Sequence, residues 1–123
     1  MLNQKKTLHV SFILLAISVA LGAIGAHLLE KSLSPKSIDT FNTGIKYLTY
    51  HSLALLAFSS HEKIFHQLIW AKRLIFIGII FFSGNCIAYA LSGIKTFAML
   101  VPIGGFAFIF AWLIAVVEVK EVR

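Results

Sequence analysis

The sequence predicts an all-α membrane protein, one integral membrane domain over residues 1–123 folded as a bundle of four transmembrane helices. Three observations carry that expectation. Hydrophobic residues make up 59% of the chain and charged residues 13%, and the mean hydropathy is +0.88, far from the balance of a soluble domain. The apolar residues gather into four runs, each long enough to cross a hydrocarbon core of ~30 Å. The acidic residues Glu30, Asp39, Glu62, Glu118 and Glu121 all lie outside those runs.

The first span, residues 8–29, reads LHVSFILLAISVALGAIGAHLL, about 33 Å of helix at 1.5 Å per residue. Lys5 and Lys6 before it, with small residues from Ala23 to Ala26, give it the look of a signal peptide. Its apolar run exceeds the ~7–15 residues of a cleaved signal, so it is expected to be a retained helix. The second span, residues 40–60, follows Ser34-Pro35, where Ser caps a helix and Pro fits its first turn. Its polar first turns are expected in the interface. Residues 61–67 form a short polar connection to the third span, residues 71–92, which has Trp70 at headgroup level and the basic pair Lys72 and Arg73 at its start. Ser92-Gly93 and Lys95 mark a turn into the fourth span, residues 97–117, which ends in a charged tail. Connections this short make sequential helices antiparallel neighbours.

Orientation follows from Lys and Arg on the two sides. Lys5, Lys6, Lys63, Lys72, Arg73, Lys120 and Arg123 fall on one side, and Lys31, Lys36, Lys46 and Lys95 on the other. Seven against four predicts both termini in the cytoplasm and a multi-pass protein of the inner membrane. The net charge of +6 is explained by this scatter of span-end residues. It forms no basic stripe with interleaved aromatics, so nucleic acid is not an expected partner.

An ionisable side chain inside a span is by default a functional-site hypothesis, which singles out His27 and His51. Counting depth along each span puts His27 near the outer surface and His51 near the midplane. Lys46, Tyr47, Ser83, Asn85, Pro102, Gly104 and Gly105 then fall in the outer half, and the inner half looks nearly featureless. The expected site is an outward-opening polar pocket lined by these residues, with His51 as floor and His27 as rim, accepting a lipid, quinone or other small amphiphile. Tyr47 and His51, four apart, share one helical face. Pro102 would free the carbonyl of Ala98, for which Asn85 is a candidate donor. The plainer reading makes His51, Tyr47 and Asn85 interhelical hydrogen-bond partners worth about 1 kcal/mol each.

Close packing through small residues holds helices together in lipid. Gly22 and Ala26 with Gly25 beside them, Gly84 with Ala88 and Ser92, and Ala107 with Ala111 and Ala115 supply steps of four. These stripes support a second functional reading, a structural or assembly protein acting through helix packing on itself or on a membrane-protein partner. Proton-coupled transport through His51 ranks below both, since no carboxylate lies inside a span.

Other chemistry is disfavoured. Haem ligation by His27 and His51 conflicts with a separation of about 10 Å or more along the membrane normal. His61 and His66 are five apart where a zinc helix needs four. No nucleophile, base and orienting acid can be assembled, so no enzyme activity, metal or cofactor is expected. The single cysteine, Cys86, leaves no intramolecular disulfide.

Four stretches in order, GAIGAHLL at 22–29, YLTYHSLALL at 47–56, FFSG at 81–84 and PIGG at 102–105, closing with Trp112, resemble the small YgdD/YwdK membrane proteins of bacteria, to which a small eukaryotic transmembrane protein is related. The resemblance covers nearly the whole chain. It implies a four-helix inner-membrane protein of uncharacterised role. It places Gly22, Gly25, His27, Tyr47, Tyr50, His51, Ser83, Gly84, Pro102, Gly104 and Gly105 on family motif positions. Asn85-Cys86 departs from the Ser-Leu that usually follows FSG, and Ala111 stands before Trp112 where Gly is common.

Overall fold

A computed structural model describes residues 3–120, and among these every regular element is helical. Arg123, counted above on the side of the termini, and Glu121, named above among the acidic residues, lie outside the described residues. Helix α1 (Gln4–Ile24) opens on an Asn3 side chain that accepts from the Lys6 amide, and continues into a π-helical segment (Gly25–Leu29). Helix α2 (Pro35–Ser59) starts as its Ser-Pro signal requires, with the Ser34 hydroxyl accepting from the Ser37 amide. The short α3 (Glu62–Gln67) leads to α4 (Ile69–Gly78), which passes through a π-helical segment (Ile79–Gly84) into α5 (Asn85–Ser92). Gly93 turns the chain in the left-handed region at φ 69°, a conformation that glycine adopts without a Cβ clash. Helix α6 (Lys95–Glu118) runs unbroken past Pro102.

Three of these rods, Gln4–Leu29, Ile69–Ser92 and Lys95–Glu118, are long and apolar enough to cross a membrane. At 25 residues α2 is long enough, but its composition is less apolar and it is not among the three. It is also the helix the others surround, packing on α1, on α5 and on the 79–84 segment. Its buried positions Phe41, Gly44, Leu48, His51, Ser52, Leu55 and Ser59 follow steps of three and four, the spacing of one helical face.

Contacts at both ends fix how the rods lie. The Gln4 side-chain amide donates to the Ser59 carbonyl at 2.8 Å, while a Cβ on Gly25 would come within 2.8 Å of the Phe41 ring. Helices α1 and α2 are therefore antiparallel along their length. Glu118 at the end of α6 accepts from the Trp70 and Ala71 amides at 2.7 and 3.0 Å, and the Lys120 amide donates to Gln67 at 2.8 Å. Helix α4 has no side-chain cap from Leu68, so this carboxylate satisfies two of its free amides and meets the positive end of its dipole. The start of α1, the end of α2, the start of α4 and the end of α6 thus share one end of the bundle. Lys72, read from sequence as an interfacial cation, is buried there, with its ammonium donating to the Phe65 carbonyl and lying 3.1 Å from the centre of that ring.

The packing stripes differ from those expected. On α1 the buried positions are Thr7, Ser11, Ser18 and Gly25, while Ala26 is exposed and a Cβ on Gly22 would meet nothing within 4 Å. Spacing by four had identified a stripe but not which way it faces. Thr7, Ser11 and Ser18 bond carbonyls of their own helix, which lets hydroxyls pack in lipid without an outside partner. The half of the bundle near Ser59 is therefore not featureless. Gly84 is exposed and Ala88 half-buried, whereas Ser83, Cys86 and Ala90 face inward. On α6 the expected stripe holds, with Ala107 and Ala111 buried.

The closest approach is at Gly104, where an added Cβ would run into the backbone of Phe81 and Phe82. Gly104→Ala should therefore cost about 2–3 kcal/mol by forcing α6 off the 79–84 segment, and Gly22→Ala should be neutral or slightly stabilising because its site is open. Unfolding in mixed detergent micelles separates the two; equal midpoints for both variants would contradict this packing.

Candidate functional site

Midway along the bundle, α2, the 79–84 π-helical segment and α6 leave a cleft of about 330 Å³ lined by Tyr47, His51, Phe82, Gly105, Phe108, Ile109 and Trp112. Each wall follows from local structure. Tyr47 and His51 stand one turn apart on α2. Gly105, Phe108, Ile109 and Trp112 are spaced by three and four on α6, on the flank beside the buried Gly104, Ala107 and Ala111 stripe. Phe82 comes from the π-helical segment, whose wider turn frees the Phe81 carbonyl to accept from the Asn85 side-chain amide at 2.7 Å.

At the back of the cleft both nitrogens of His51 are engaged. The Trp112 indole N–H donates to Nε2 at 3.1 Å, and Nδ1 lies 2.8 Å from the Tyr47 carbonyl. An indole N–H only donates and a carbonyl only accepts. The ring that satisfies both is neutral and carries its proton on Nδ1. Its face lies on Phe108, with centroids 3.5 Å apart and planes 14° from parallel. Tyr47 packs against Phe82 at 4.8 Å, and Phe58 meets the Trp112 ring edge-on at 5.8 Å. Phe108 itself rests on Gly78, where any Cβ would overlap its ring.

The structure brings together Tyr47, His51 and Gly105 from the residues expected to form the site. The others lie elsewhere. His27 and Lys46 are exposed on the flanks of their own elements. Ser83 and Asn85 are buried but do not line the cleft, and Asn85 bonds Phe81 of its own strand of helix where Ala98 was the expected acceptor. Pro102 lines a shallow neighbouring groove with Gly105, Phe106 and Ile109, and Gly104 is a helix contact with no surface to offer. The expected outward mouth is corrected too. Tyr47, Ile109 and Trp112 are exposed on the flank of the bundle, so the cleft opens sideways and lies level with the middle of α2 and α6.

Sequence reasoning missed Phe82, Phe108 and Ile109 as lining residues and gave Trp112 no role. Phenylalanine and isoleucine in a span look the same whether they face lipid or a cleft. Trp112 did carry a signal. Tryptophan belongs at membrane interfaces, and one placed six residues inside the end of α6 has an indole N–H that needs an acceptor. Among the described residues no group of three or more His, Cys, Asp or Glu could hold a metal.

A family model described as a protein of unknown function, DUF423, matches residues 21–105. A UPF0382 membrane protein of Staphylococcus haemolyticus is 38% identical over 105 residues, covering 83% of this chain and 84% of its own length. The UPF0382 inner membrane protein YgdD of Escherichia coli K12 is 34% identical, covering 82% and 79% respectively. A UPF0382 membrane protein of Staphylococcus saprophyticus is 39% identical, covering 82% and 85%. No solved structure matches.

The hydrogen-bond pattern at His51 has a direct spectroscopic consequence. Nitrogen-15 NMR of histidine-labelled protein in bilayers should show one ring in the neutral, Nδ1-protonated form, and Trp112→Phe should move its Nε2 resonance by removing the donor. A ring protonated on Nε2, or a Nε2 shift unchanged by the substitution, would refute the assignment.

Proposed function

This chain belongs to the DUF423 family, whose relatives are membrane proteins of unknown function, and we propose that it is a four-span inner-membrane protein that binds a membrane amphiphile in its lateral cleft. The observation that carries the reading is the cleft itself. Its ~330 Å³ lies within the ~300–1,000 Å³ of small-molecule sites, and its flank opening lets a lipid-soluble molecule enter without leaving the bilayer. The walls are aromatic and apolar, as such a molecule requires.

Geometry beyond hydropathy supports reading four spans. Helix α2 runs antiparallel to α1 from Phe41 beside Gly25 to Ser59 beside Gln4, which supports α2 crossing wherever α1 does. Its polar residues His51, Ser52 and Ser59 are covered by its neighbours. Lys5, Lys6, Lys63, Lys72, Arg73 and Lys120 stand near the end where Glu118 caps α4, which favours that end in the cytoplasm.

Two observations favour binding over the other readings. Both His51 nitrogens are already bonded, leaving no free site to take up a proton in a transport cycle. Of the small-residue stripes, the one with Gly104, Ala107 and Ala111 is buried within the chain's own bundle, so that stripe offers no surface to a partner.

The binding test uses Gly105. A Cβ on Gly105 would meet only the Phe82 ring at 3.6 Å, so Gly105→Leu should fill the cleft with little strain. Native mass spectrometry from mild detergent should show wild-type protein with a retained small-molecule adduct and Gly105→Leu without it, at similar unfolding midpoints. Identical adducts in both would overturn the proposal. Topology is checked in a Cys86→Ser background: an impermeant maleimide on intact protoplasts should label Lys36→Cys, and label Ser60→Cys only after lysis. Labelling of both positions from outside would exclude α2 as a span.

A further inference from the structure

Tyr47 stands at the centre of α2, about 18 Å from either end at 1.5 Å per residue, and its ring is held by Phe82 at 4.8 Å and by stacking near Phe108 and His51. It lines the cleft, and its hydroxyl has no hydrogen-bond partner among the described residues. A hydroxyl in hydrocarbon without an acceptor is costly, and from mid-helix it cannot reach water at either surface. An occupant of the cleft that carries an acceptor would meet this hydroxyl on the cleft wall.

Three features narrow that occupant. No charged side chain lines the cleft, so a charged headgroup would be buried unpaired. The ester carbonyls of a phospholipid lie at the edge of the hydrocarbon, about 15 Å from the midplane, out of reach of a central tyrosine. Rings from three elements, Tyr47 of α2, Phe82 of the π-helical segment, and Phe108 and Trp112 of α6, present aromatic faces and edges, which favour a flat partner. We infer that the cleft takes a neutral, ring-headed amphiphile bearing a carbonyl, the chemistry of a membrane quinone, with Tyr47 donating to that carbonyl and the tail leaving through the flank opening. This rests on the cleft being an amphiphile site and adds the class of its ligand.

The chain has two tryptophans, so Trp70→Phe leaves Trp112 as a reporter inside the cleft. In phosphatidylcholine nanodiscs, titration with decylubiquinone should quench Trp112 saturably. Adding Tyr47→Phe should shift the half-saturation point about tenfold, the loss of one hydrogen bond to an otherwise unpaired group, and adding Gly105→Leu should leave only the linear quenching of a quinone dissolved in lipid. Phosphatidylcholine brominated on its acyl chains distinguishes an acyl occupant, which would quench wild-type Trp112 more than the Gly105→Leu form. Linear quenching by the quinone in every variant, an unshifted Tyr47→Phe midpoint, or selective quenching by the brominated lipid overturns the inference. If the mass-spectrometric adduct persists in that case, the amphiphile site stands and only the ligand class falls; if the adduct is insensitive to Gly105→Leu, both fall.

Discussion

Lipid supplies no hydrogen bonds, and the arrangement of this bundle follows from that one constraint. Helix α2 carries most of the polar side chains found between the ends of the rods. It packs on α1 along one side and on α5 and the 79–84 segment along another, with His51 meeting Phe108 and Trp112 of α6. Thr7 and Ser11 bond carbonyls one turn back in α1, Asn85 takes up the carbonyl freed by the π-helical turn, and His51 uses one nitrogen within α2 and the other across to α6. The accounting is left open at the buried hydroxyls of Ser52, Ser59 and Ser83 and, on the cleft wall, at Tyr47.

Helices without a hydrophobic drive toward one another need close backbone approach, and glycines provide it on three elements. Gly44 lets α2 reach Cys86 and Ile87, Gly78 receives the Phe108 ring, and Gly104 sets α6 directly on the 79–84 backbone. The cleft is a by-product of the same contacts. With Gly104 pressed inward, Gly105 beside it turns a bare surface toward Phe82, and one more turn of α6 brings Phe108 and Trp112 onto His51.

Helicity, the rod boundaries and the Ser34 and Gly93 punctuation were all legible in the sequence, because run length and capping chemistry are local. That Tyr47, His51 and Gly105 stand together was legible as well, through polarity and motif. Rotation was not. Spacing by four fixes a stripe without its direction, so Gly22, Ala26 and Gly84 were read as contacts when Ser11, Ser18 and Ser83 are the buried positions. Depth counting also treats each helix alone, and the pairing of His51 with Trp112 across 61 residues is invisible to it. Phe82 joins the site from a π-helical turn that no residue pattern announced.

The Glu118 contact carries a consequence for biogenesis. The first amides of α4 obtain their carboxylate from the far end of the last helix, 47 and 48 residues later in the chain. While the ribosome is still making α6, the start of α4 is an uncapped helix end at the membrane surface. This cap is therefore complete only once Glu118 has been made, after every residue of α4 and α5.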